Sequence, residues 1–231
     1  MNFDKNTPRI LGIAFLFQAI VALLSDLPLS SLIEGYPYET INISTSMISI
    51  SNNPSMMQIS IIGKLITAIG IMLLTVLLYT TLKTQNKVIA RWAFGLRFTE
   101  VATYAVIAIS AFSLLYISQE FVTAGVPDAS YFQTLGNLFY ESMDYAYSIN
   151  MLFFSLGAFL FYYLFLKSNY IPKLFSVWGL VSTSLSLIGI LFGLFGYNLD
   201  LAFYVIAFLP ILPLELALGV WLTIKGFRTQ K

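Results

Sequence analysis

Lys64, Arg97, Glu100 and Glu215 stand inside long apolar runs, and Asp26 and Asp144 stand near the ends of two others. A charge in hydrocarbon costs at least ~2.5 to 3.5 kcal/mol, so each needs a partner or a water-filled cavity. Arg97 and Glu100 are three apart and share one helix face. Counting ~1.5 Å per residue, this pair lies roughly 9 to 14 Å in from Arg91, and Glu215 lies roughly 15 Å in from Lys225. The depths overlap, so the forked guanidinium of Arg97 could bridge both acids. One arginine against two carboxylates leaves surplus negative charge, which a proton or a bound cation would complete. The structural alternative is an ion pair that pins the helix of Arg97 to that of Glu215.

Two further features bear on these residues. Pro210 and Pro213 precede Glu215 in the same apolar run. Proline removes a backbone donor and blocks a bond to the preceding turn, so the sequence predicts a kink with freed carbonyls near Ile206 and Leu209. Broken helices of this kind bind ions in transporters. Lys64 lies about two turns from the outer end of its run, within reach of snorkelling outward. Asp26 and Asp144 are expected at similar height, and Glu141, Asp144, Ser148 and Ser155 fall on one stripe, with Asn150 nearby. The expectation is either a polar vestibule closed by Lys64 or interhelical hydrogen bonding.

The elements that would position these residues are membrane helices. The 231 residues are 58% hydrophobic, 16% aromatic and 10% charged, with mean hydropathy +0.82. Soluble domains are about 25% charged. Apolar runs predict an all-α bundle of six transmembrane helices forming a single domain. The runs cover about 10–33, 56–81, 89–117, 142–166, 173–196 and 201–224. Each is long enough for a ~30 Å hydrocarbon core. Asp26 and Pro28 interrupt the first. Glu34 to Pro54 reads as an external loop or, alternatively, an interfacial flap, with Ile41, Ile43, Ile48 and Ile50 unevenly spaced. Ser118 to Glu141 reads as an interfacial piece or a downward extension of the next helix, because Phe132, Leu135, Leu138 and Phe139 keep helical spacing.

Every Lys and Arg except Lys64 lies at or within two turns of one set of loops, and every acid except Asp4, Glu100 and Glu215 lies at or near the other set. The positive-inside rule therefore predicts cytoplasmic termini and a multi-pass protein of the inner (plasma) membrane. In the fifth run, Gly189, Gly193, Gly196, Ser182 and Ser186 make a small-residue face that allows close helix approach, internally or to a second protomer.

The chain has no Cys and no His, which excludes disulfides, thiolate nucleophiles, His-ligated zinc, bis-His haem and His general bases. No nucleotide or hydrolase motif is present. The expectation is no cofactor, no metal, no catalytic residue and no nucleic-acid partner. The partners expected are the bilayer and a lipid or small-molecule ligand. Tyr79, Leu82, Lys83, Gly95 and Leu96 match Tyr163, Leu166, Lys167, Gly179 and Leu180 at one fixed offset. That fits a duplicated hairpin or the generic likeness of short cytoplasmic loops.

Several pieces, in order, carry a family likeness. They are Arg9-Ile10-Leu11-Gly12, Leu77-Leu78-Tyr79, Gly95-Leu96-Arg97-Phe98-Thr99-Glu100, Asp144-Tyr145-Ala146-Tyr147, Ile171-Pro172-Lys173, and Pro213-Leu214-Glu215 with Gly219, Trp221 and Lys225-Gly226. Together they resemble a bacterial multi-pass family known as domain of unknown function 4386. The resemblance implies six membrane helices and names no activity. Met143 stands where that family often has His, and Lys64 where it often has an acid. The function expected is binding or transport of an ion or small amphiphile at Arg97, Glu100, Glu215, Lys64, Asp144 and Asp26. The rival is a structural protein whose buried charges only fix helix packing.

Overall fold

The computed structural model describes residues 6–33, 41–124, 129–197 and 210–228. Among them there is no strand. Seven helices follow one another: α1 (Thr7–Leu32), α2 (Ile43–Asn52), α3 (Pro54–Leu82), α4 (Lys87–Ala124), α5 (Ala129–Ser168), α6 (Lys173–Leu194) and α7 (Ile211–Lys225). Local chemistry sets their ends. The Asn42 side chain accepts from Thr45 N at 3.2 Å and opens α2. Pro54 opens α3, where a missing N–H costs nothing. Asn86 Oδ1 accepts from the N–H groups of Val88 and Ile89 at 3.0 Å and opens α4. Asn169 takes a left-handed φ of 53° just after α5, and Gly226 one of 71° just after α7.

Five helices (α1, α3, α4, α5 and α6) are long and apolar enough to cross a membrane. Their outward positions are apolar too: Ile13, Ile59, Ile69, Leu73 and Ile109 are each more than half exposed. Such faces belong in lipid rather than water. Of the expected sixth span, residues 201–209 lie outside the described residues, with Ile206 and Leu209 among them. The remainder forms α7.

The first span is found as expected, and one sequence expectation is corrected. α1 runs unbroken through Asp26 and Pro28 to Leu32. Residues 43–52 form a helix rather than an open loop, because Ile43, Met47 and Ile50 make an i, i+4, i+7 stripe that buries. Pro210 caps α7 and Pro213 lies in its first turn; the kink expected ahead of them, with the carbonyls of Ile206 and Leu209, lies outside the described residues. Of Ser118 to Glu141, the first part continues α4 to Ala124, and the part from Ala129 extends α5 without a break.

The described residues fall into two compact units. Unit 1 lies within 1–19, 68–101 and 148–231, and unit 2 within 20–67 and 102–147. Unit 1 packs Leu11, Phe15, Leu74, Leu78, Phe165 and Leu218 into its core. Within it, α1 crosses α7 closely. A Cβ on Gly12 would lie 2.6 Å from Gly219 O, and one on Gly219 would lie 2.8 Å from Leu16 Cγ. Both glycines belong to the likeness motifs, and here their physical use is close backbone approach. On α6 the small face Ser176, Gly179, Ser182, Thr183, Ser186 and Gly189 is buried within the chain. Gly179 meets the ring of Tyr162, while Gly193 faces open space. Unit 2 packs Leu29, Met47, Ile50, Met57, Ile61 and Ile107.

Candidate functional site

The six candidate residues separate by unit. Arg97, Glu100 and Glu215 belong to unit 1, and Lys64, Asp26 and Asp144 to unit 2.

In unit 1, α4 turns one face inward through Ala90, Ala93, Arg97 and Glu100. That i, i+3, i+7, i+10 spacing places the ion pair on the packed side of the helix. Arg97 Nη1 and Glu100 Oε2 are 2.7 Å apart and each residue is 2% exposed. The contact has ion-pair distance without hydrogen-bond alignment. The guanidinium lies 4.8 Å from the centre of the Phe154 ring. Its stem runs over Gly157, where a Cβ would come within 2.7 Å of Arg97 Cγ. Glycine at 157 thus makes the space that a buried arginine needs. The Asn150 side-chain amide donates to the Glu100 carbonyl at 3.0 Å and joins α5 to α4.

Glu215, in the second turn of α7, is 7% exposed. It is not bridged by Arg97. Gln18 of α1 donates to Glu215 Oε2 at 2.6 Å instead. Arg97 and Glu215 nevertheless line one small void, together with Phe15, Leu74, Leu78, Phe161 and Tyr162. It has room for a water-sized or ionic guest and is too small for a lipid headgroup. The expected double bridge is therefore replaced by two half-sites. One is an intrahelical pair; the other is a carboxylate held by a neutral amide.

In unit 2, Lys64 of α3 pairs with Asp26 of α1. Lys64 is 2% exposed, while the Asp26 side chain is half exposed. The ammonium lies 4.7 Å from the centre of the Tyr147 ring, and the Tyr147 hydroxyl donates to Asp26 Oδ1 at 3.4 Å. Lys64 is buried with its charge met by Asp26 and the Tyr147 ring. Asp144 is exposed on α5 and takes no part in this cluster.

Gln18, Tyr147 and Phe154 complete these two arrangements and were not singled out from the sequence. Gln18 had a legible signal, as the one amide within the apolar run from Ile10 to Leu24. Tyr147 and Phe154 had none, since aromatic residues abound in every run. Close to the void's lining residues in sequence, the buried hydroxyls of Thr75 and Ser155 have no hydrogen-bond partner among the described residues.

A family model described as a domain of unknown function (DUF4386) matches residues 10–226. No curated protein and no solved structure matches the chain.

Proposed function

The chain belongs to the DUF4386 family, and we propose that it is an integral membrane protein that binds a small cation within unit 1, at the carboxylate of Glu215. One observation carries this reading. Glu215 and Arg97 line the same void, yet Glu215 is held by Gln18 and the guanidinium is engaged with Glu100. Among the described residues of unit 1, the buried charges are therefore one cation and two anions. A surplus negative charge in an apolar interior must be neutralised. The void beside Glu215 is of the size to admit the ion that does so.

The rival, a purely structural set of charges, is supported by a different contact. The Gln18–Glu215 hydrogen bond ties α1 to α7. The Arg97–Glu100 ion pair gives that rival less support, because both charged partners lie on α4, and α5 meets them through the Phe154 ring and the Asn150 amide.

The membrane orientation proposed is six spans with both termini cytoplasmic. It is supported by where the surface charge falls. In unit 1, Arg9, Lys83, Lys87, Arg91, Lys167, Lys173, Lys225 and Arg228 are exposed, and the described acids Glu100 and Glu215 are buried. In unit 2 the described acids Asp26, Glu120, Glu141 and Asp144 reach the surface and the one described cation, Lys64, is buried. That asymmetry is what the positive-inside rule requires.

Thermal melting of the purified full chain tests the binding reading, in lithium, sodium, potassium or choline chloride at equal ionic strength. A saturable rise in melting temperature with one alkali cation, lost in Glu215→Gln, is the expected result. Stabilisation that follows pH alone and vanishes in Glu215→Gln would assign the site to a proton. Melting indifferent to both cation and pH would leave the structural rival as the better account.

A further inference from the structure

We propose that the first three turns of α4 form a binding site for a phospholipid with an anionic headgroup. At 100° per residue, Lys87, Arg91, Gly95 and Phe98 advance along one stripe of α4, with Val88 and Trp92 beside it. All six are exposed. The two cations come first, one turn apart at i and i+4, so a single phosphate can meet both. Beyond them the stripe drops to bare backbone. A Cβ on Gly95 would meet nothing within 4 Å. This notch lies between Trp92, 67% exposed, and Phe98, 47% exposed. Phe98 is braced from behind by the ring of Phe94, whose centre is 6.1 Å away.

Cations followed by an aromatic-walled notch match the two halves of a phospholipid. The headgroup pairs with Lys87 and Arg91 and an acyl chain lies along Gly95. The described residues of unit 1 expose no carboxylate to compete for these cations. The Asn86 cap already occupies the N–H groups of Val88 and Ile89, so the side chains rather than the helix terminus would hold the phosphate. A free phosphate would use the cations and ignore the notch. The exposed Trp92 and Val88 therefore favour the lipid as occupant.

The inference rests on the membrane reading but not on the Glu215 site, so Glu215→Gln should leave it intact. The test titrates the detergent-solubilised full chain with phosphatidylglycerol, phosphatidylcholine or soluble glycerol phosphate, reading melting temperature and lipids retained in native mass spectrometry. Phosphatidylglycerol should stabilise saturably, and phosphatidylcholine at equal mole fraction should not. Lys87→Gln with Arg91→Gln should weaken apparent affinity about tenfold or more, since two charge-assisted contacts are lost. Gly95→Leu fills the notch without altering charge and should weaken it comparably. Trp92→Ala, at a highly exposed position, gives a second reading of the notch if Gly95→Leu melts abnormally without lipid. Equal response to both lipids would overturn the proposal. So would full affinity in both notch variants, which would assign the effect to diffuse charge, or a match by glycerol phosphate. A dimer that dissociates on Gly95→Leu without lipid preference would give the stripe to a second copy of the chain.

Discussion

The polar cluster of unit 2 is balanced and spans helices, whereas that of unit 1 is unbalanced and pairs within one helix. Lys64 and Asp26 match one cation to one anion across α3 and α1, with Tyr147 of α5 contacting both. Three helices are joined and no net charge remains. Arg97 and Glu100 lie on the same helix, and Glu215 is left to a neutral amide. A buried charge set that only fastens helices has reason to cancel and to cross between them. The unit 2 cluster meets both conditions and is read as a fastener. The unit 1 cluster does not cancel, crosses between helices through the neutral amides of Gln18 and Asn150 rather than through a charge pair, and has a void.

The largest expected effects come from unit 2, and they are asymmetric. Asp26→Asn strands the ammonium of a residue that is 2% exposed. Breaking a buried pair this way costs about 3 to 5 kcal/mol. Lys64→Met strands an aspartate whose side chain is half exposed, so it should cost clearly less. Melting of the two variants, each against the parent, checks the order. Equal losses would mean that Asp26 is as buried in the membrane as Lys64 is.

Next in size is a pair of couplings in unit 1. A double-mutant comparison of Arg97→Met with Glu100→Gln should give an interaction energy within the ~0.5 to 3 kcal/mol range of contacting residues. The same comparison of Arg97→Met with Glu215→Gln should give a smaller one, because Glu215 is bound by Gln18. Gln18→Leu combined with Glu215→Gln should couple instead. A dominant Arg97–Glu215 coupling would restore the bridge expected from the sequence and bring the unit 1 cluster closer to that of unit 2.

α2 offers a third, smaller test, confined to unit 2. Its N-cap Asn42 accepts from Thr45 N, and the helix contributes Met47 and Ile50 to the core. Asn42→Ala should cost about 1 kcal/mol. If unit 1 melts separately, its Glu215-dependent cation response should survive this change.

Much of this was legible in advance. Apolar length gives α1, α3 and α6 to within three residues at each end, because hydrocarbon thickness leaves little freedom, whereas α4 runs on past Ile117 to Ala124 and α5 starts at Ala129, well before Ser142. α2 was hidden, since its buried stripe includes Ser46 as well as Met47, and a count of isoleucines does not see it. The buried charges Lys64, Arg97, Glu100 and Glu215 were legible because each is costly in an apolar run. Their partners were not. Depth along a helix can be counted, but rotation about its axis is set by packing. Counted depth made Arg97 and Glu215 neighbours, whereas the packing of α1 delivered Gln18 to Glu215 first.

Rotation also decides the sign of the last predicted effects, at two glycines that the sequence presents as equivalents. Gly95 and Gly179 occupy matching places in the two similar hairpins. Gly95 faces open space on α4, whereas Gly179 on α6 packs against the ring of Tyr162, which a Cβ would overlap. Gly95→Ala should therefore stabilise by about 0.5 to 1 kcal/mol, the ordinary gain of alanine over glycine in a helix. Gly179→Ala forces a buried ring to move and should destabilise by about 1 to 3 kcal/mol. Opposite signs in detergent melting would mean that a repeated sequence has been put to two uses, one hairpin presenting its glycine outward and the other packing on it. Two losses of equal size would mean instead that α4 is covered at Gly95 in the folded protein, and the lipid-facing stripe would lose its notch.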